Sequence, residues 1–157
     1  MVKVEKVNLI SFIEKNNSNL NRSTKEFELE ENNVSELHIH KILFIVYGAF
    51  YTKFNRELFE PNFEAWKYGP VEIDYRNYVK NNDQSSLKKF NIVLNDNKEK
   101  VYLSNLIIKL LKFSPWSLVE YTHSLDAWIN NYDNEENKLN SISKEDIFKS
   151  FKNKKFD

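Results

Sequence analysis

Three histidines, His38, His40 and His123, are the only imidazoles in this 157-residue chain, and cysteine is absent. They are the natural places to look for a metal site or a general base near neutral pH. His38 and His40 stand two apart, which on a helix turns them about 200° from one another, so they face opposite ways and cannot share a metal. Glu36 could join His40 at i, i+4, but a third and a fourth ligand would have to come from elsewhere, and the remaining histidine is His123. Thr122 and His123 adjoin, yet neighbours on a helix diverge by about 100°, and no Gly-x-Ser-x-Gly element is present to build a nucleophile elbow. His123 is therefore expected to hydrogen-bond near a helix end, against the Trp66 segment. Paired carboxylates such as Glu30-Glu31 and Glu135-Glu136 lie in polar stretches and read as solvated. The expectation is a chain with no catalytic residue, no metal and no cofactor, hence not an enzyme.

Composition removes further classes. Gly48 and Gly69 are the only glycines, so neither nucleotide-binding fingerprint can be written. Without cysteine there are no disulfides, thiolate zinc sites or cysteine nucleophiles, which fits a reducing compartment. Lysine plus arginine number 23, as do aspartate plus glutamate, and no field of one sign is available to attract DNA or an anionic membrane. Lys149, Lys152, Lys154 and Lys155 stand among Phe148, Phe151 and Phe156, as in single-strand binders, but in a neutral chain they read as solubilising, and nucleic-acid binding is not expected. The longest apolar run, Ile42 to Tyr51, has ten residues, against about 20 needed to cross a bilayer. Polar residues interrupt Met1 to Asn17, so no export is expected and no membrane partner.

These side chains must be placed by a mainly helical frame. With 41% hydrophobic residues, the length suits one compact domain. Val4, Val7, Ile10 and Ile13 predict an amphipathic helix over about 4–16, and the polar run 16–33 predicts a flexible acidic loop. Within that loop the apolar and acidic alternation from Glu26 to Glu31 could add a strand or lie along a basic partner. Ser35 is placed to cap a long central helix from Leu37 to Phe54, with Gly48 marking a close helix crossing. Gly69-Pro70 forces a turn, after which a helix is expected over about 71–80. Residues 90–94 and 100–103 around Asn95-Asp96-Asn97 have the pattern of a hairpin. Ser104, Ser114-Pro115, Ser124 and Ser143 are each positioned to open a further helix. The expected fold is mainly α (α+β), six or seven helices around the long central one with one small β-hairpin. Residues 1–33 form a leading helix and loop, 34–152 the domain, and 153–157 a frayed tail.

His40-Lys41-Ile42-Leu43-Phe44, Leu58-Phe59, the block Glu64-Ala65-Trp66-Lys67-Tyr68-Gly69-Pro70-Val71 with Tyr75 after it, and finally Tyr121-Thr122-His123 and Trp128 resemble the Panacea domain of SocA-like antitoxins. The resemblance spans about 34–150, and the Trp-Lys-Tyr-Gly-Pro-Val block is its specific part. The family usually has Gln-Lys-Leu-Leu where this chain has His40-Lys41-Ile42-Leu43, and Pro-Trp where it has Ala127-Trp128. What the resemblance implies is a cytoplasmic, often phage-associated antitoxin that neutralises a cognate toxin protein by direct binding. A similar branch works as an adaptor delivering the toxin to a AAA+ protease. A DNA-binding autoregulator is the competing class, and the absence of a basic excess weighs against it. The motif positions so marked are Lys41, Glu64, Trp66, Gly69, Pro70, Val71, Tyr75, Thr122, His123 and Trp128. For each the choice between partner binding and fold support stays open.

Overall fold

A computed structural model of the chain describes residues 5–17, 28–135 and 138–156. The axis is α2 (Glu28–Phe54), in which every residue from His38 to Phe50 is buried. A helix buried on all sides has no polar stripe, and it must be wrapped by other elements. Those elements are α4 (Asn97–Lys112), α5 (Pro115–His123), α7 (Lys144–Phe151) and a hairpin of β2 (Phe63–Trp66) and β3 (Gly69–Glu72). The short α6 (Asp126–Ile129) leads from α5 toward α7, and β5 (Asn140–Ile142) pairs with β2 to complete an antiparallel sheet ordered β3-β2-β5. The chain is thus mainly α with a small antiparallel β portion, as its sequence predicts.

The crossing anticipated at Gly48 is present. A Cβ at that position would lie 2.1 Å from the Phe151 ring, so α7 rests directly on the α2 backbone there. Ser114 caps α5 with Pro115 in its first turn, and Ser143 caps α7 by accepting from the Asp146 amide. Several expectations need correction. Residues 4–16 are not one helix: β1 (Glu5–Asn8) precedes α1 (Leu9–Asn17), because the Asn8 side chain accepts from the Ser11 amide at 2.8 Å and starts the helix only there. The hairpin placed at 90–103 does not form. Asp96 accepts from the Glu99 amide while Glu99 accepts from the Asn95 amide, a reciprocal cap that makes the polar cluster a helix start rather than a turn. Ser104 is consequently interior to α4, and β4 (Asn91–Leu94) pairs antiparallel with the distant β1.

The hairpin that does form is β2–β3, well before the expected one in sequence and closed at the predicted Gly69-Pro70 turn. Between it and the 3-10 segment Gln84–Phe90 lies α3 (Ile73–Asn81), which starts two residues later than expected because Glu72 caps it. The central helix begins at Glu28 rather than at a Ser35 cap, so residues 28–31 are helical and not an added strand; Glu and Leu are good helix formers. The remaining residues of the acidic segment, 18–27, lie outside the described residues. Ser124 ends α5 and makes no N-terminal cap for α6, whose start has no side-chain cap. In the tail, where fraying is the expectation, Phe156 packs edge-on against Tyr121 and against Phe151. No helix among the described residues is long and apolar enough to cross a membrane.

Candidate functional site

The motif residues meet along one seam, where α2, the β2–β3 hairpin, α5 and α6 come together. Lys41 sits in the fully buried stretch of α2, and its Nζ donates to the Pro70 carbonyl at 2.8 Å. The hairpin can approach that closely because Gly69 adopts φ +106, a conformation open to glycine. A Cβ there would lie 2.7 Å from both Lys41 Cε and Thr122 Oγ1. Thr122 is itself without exposed surface, and its hydroxyl donates to the Val119 carbonyl.

The outer half of the seam is held by aromatic rings with polar handles. Trp128 donates from Nε1 to the Trp66 carbonyl at 2.8 Å, and His123 pairs through Nε2 with the Lys67 carbonyl at 3.1 Å, as its expected contact with the Trp66 segment requires. The His123 and Trp128 rings stack with centroids 4.0 Å apart, and Trp128 stacks in turn on Tyr132. Trp66 donates to Glu64 two residues back on the same face of β2. Val71 and Tyr75 lie on the core side, Tyr75 edge-on to His40. Nine of the ten motif residues thus sit on the elements of one junction, with Tyr75 beside it on α3, and Lys41, Thr122, His123 and Trp128 each bond a backbone carbonyl.

A scan against family models aligns residues 39–129 with the antitoxin SocA-like, Panacea domain. The chain belongs to that family. The matched span covers more than half of the sequence and contains the whole seam from Lys41 to Trp128. Searches of curated proteins and of solved structures returned no match.

Beneath the Panacea seam lies a polar network that the sequence did not reveal. Glu72, fully buried, accepts from the amides of Asn62, Asp74 and Tyr75 and from Lys89 Nζ. Its own amide donates to His40 Nδ1 at 3.1 Å, so His40 must carry its proton on Nε2 and donate it to Glu36 at 2.8 Å. Arg76 pairs with the second oxygen of Glu36. Burial pushes the His40 imidazole down to about 4, against the pull of Glu36, and keeps it neutral. Burial also raises Glu36, but the hydrogen bonds from His40 and Arg76 outweigh it and hold that carboxyl below its usual range. In Glu72 burial wins over Lys89 and the carboxyl is raised. A glutamate directly before a helix was the available signal; it was weak because Asp, Asn, Ser and Thr are the usual caps.

The chemistry open to the seam is limited by access. Burial pushes the Lys41 amine down to about 7, which would favour a nucleophile, but Lys41 has no exposed surface through which a reactant could meet it. His38, on the opposite side of α2 as its spacing predicts, bonds to the Leu110 carbonyl at 3.2 Å. Among the described residues no three His, Asp or Glu side chains are grouped to hold a metal ion. At the tip of the seam, Tyr68 and Trp116 are each about half exposed and meet edge to face, with ring centroids 5.7 Å apart.

Proposed function

We propose that this Panacea protein is an antitoxin that neutralises a cognate toxin by binding it directly. Membership of the SocA-like antitoxin family across residues 39–129 is the observation that carries the reading. The seam supports it in physical terms. Lys41 and His123 are tied to backbone carbonyls, while large aromatics such as Tyr68 and Trp116 remain on the surface next to the seam, the residue types favoured at the centres of protein interfaces.

Co-expression tests the reading. The product of the adjacent reading frame should arrest growth when expressed alone and be harmless together with this chain, and the two proteins should copurify. Growth arrest unrelieved by this chain, or relief without any complex between the two, would remove direct neutralisation.

A further inference from the structure

The hollows of the surface gather where the end of α2, the outer face of α4 and the last residues of the chain meet. Two adjoining cavities of about 530 and 420 Å³ share Lys53, Tyr102 and Phe156. A third, of about 270 Å³, continues from Leu106, Lys109 and Phe156 toward α5, and a fourth adjoins through Thr52 and Lys152. Through these shared residues they form one groove along α2, α4 and the C-terminal tail.

Its charge is one-sided. Lys53, Lys98, Lys109, Lys152, Lys154 and Lys155 line the first two cavities, and no described aspartate or glutamate lines any of the four. In a chain with equal numbers of acidic and basic residues, that is a local concentration of one sign, and charges within a Debye length of about 8–10 Å act together on a ligand in the groove. The floor is apolar, built from Phe54, Leu106, Phe156 and Val101, the last of them 47% exposed. Lysines that served solubility alone would not need an apolar floor between them.

A cationic rim around an apolar strip matches a polypeptide with acidic residues on one side and apolar residues on the other. Single-stranded nucleic acid is also anionic, but it binds by stacking bases on open aromatic faces. Here the rings are engaged with protein: Tyr102 takes the edge of Phe54 and carries Lys53 Nζ 5.7 Å from its ring centre, while Phe156 lies against Tyr121 and Phe151. We propose that this lysine-rimmed groove of α2, α4 and the C-terminal tail is the docking surface for an acidic amphipathic segment of the partner protein. Apolar side chains of that segment lie on the exposed Val101, and its carboxylates meet Lys98, Lys109 and Lys154. That the partner is the toxin rests on the antitoxin reading; the preference for an acidic amphipathic segment rests on the groove alone.

The test uses the full chain, a Lys98→Glu/Lys109→Glu/Lys154→Glu variant and a Val101→Glu variant, each checked for an unchanged melting temperature. The probe is a fluorescent helical peptide of about 18 residues with leucine on one face and glutamate on the other, beside a scrambled peptide of the same composition and an oligothymidylate. The amphipathic peptide should bind the wild-type chain, with affinity falling about tenfold or more in both variants and for the scrambled peptide. No binding, equal binding by the variants, or tighter binding of oligothymidylate would overturn the proposal. In the co-expression assay, a wild-type chain that fails to protect ends the antitoxin reading while the peptide titration still judges the groove. A wild-type chain that protects, with a triple variant that protects equally well, leaves the antitoxin reading standing and overturns the groove as the toxin's docking surface.

Discussion

At the Panacea seam Lys41, Thr122 and Trp128 turn their polar atoms inward onto backbone carbonyls, whereas at the groove Lys98, Lys109 and Lys154 stand on the surface around the exposed Val101. Lys41 gives its amine to the Pro70 carbonyl and Trp128 its indole N–H to the Trp66 carbonyl, so the seam's side chains serve as ties between elements. Lys98, Lys109 and Val101 lie on the outer face of α4 and tie nothing of comparable depth. The difference teaches that the buried residues of a sequence signature can tie elements together while a separate, lysine-rimmed surface stands outside that signature. Substitutions in the two regions should accordingly move different observables.

The largest loss of stability is expected from Gly69→Ala. It would force an L side chain to φ +106 and set a Cβ 2.7 Å from Lys41 and Thr122, so the cost is about 3–4 kcal/mol, read as a lowered midpoint in denaturant titration. Gly48→Ala should cost about 2 kcal/mol: helix propensity gains roughly 1, but Phe151 must leave its place on α2, and α7 with it. Protection of the α7 amides from hydrogen exchange should fall with it. Trp128→Phe removes the donor to the Trp66 carbonyl while keeping an aromatic ring over His123, and about 1 kcal/mol should be lost.

Lys41→Met sharpens the comparison through pH. The Lys41 amine titrates near 7 when folded and near 10.5 in the unfolded chain, so between those values the unfolded state binds more protons and wild-type stability rises with pH. Across pH 7 to 9.5 the melting temperature of the wild-type protein should climb more steeply than that of the variant. Parallel curves would mean that folding does not lower the affinity of the Lys41 amine for its proton. The smallest effect on stability belongs to the groove: Lys98→Glu/Lys109→Glu/Lys154→Glu should stay within about 0.5 kcal/mol of wild type, the usual range for exposed positions, whatever it does to binding. A loss as large as that at Gly69 would erase the contrast between the regions.

Much of the frame follows from local rules. The apolar run of α2, the Ser114-Pro115 and Ser143 helix starts and the strain at Gly69-Pro70 are each set by residues within a turn of one another, and such patterns survive folding unchanged. The Trp66 block and Thr122-His123 likewise could be marked as belonging together. Chain order alone could not decide between fold support and partner contact, because the 56 residues separating Lys67 from His123 are closed only by packing.

Tertiary structure decided much of the rest, where the deciding partner was distant in sequence. Residues 91–94 had the same strand pattern whether they paired with 100–103 or with β1, and the Asp96–Glu99 cap turned the nearer candidate into a helix. Glu72 became the centre of a buried network only when α2 brought His40 to its amide and the 3-10 segment brought Lys89 to its carboxylate. The lysines of α4 and of the C-terminal tail, dispersed among a neutral composition, acquire a common sign of field only where Phe156 folds back beside Tyr102. Composition and periodicity determined that the chain is mainly helical and that one helix is buried on every side; the surface that results when the other helices close around it is a property of the assembled fold, because charge and shape add up over distances in space and not along the chain.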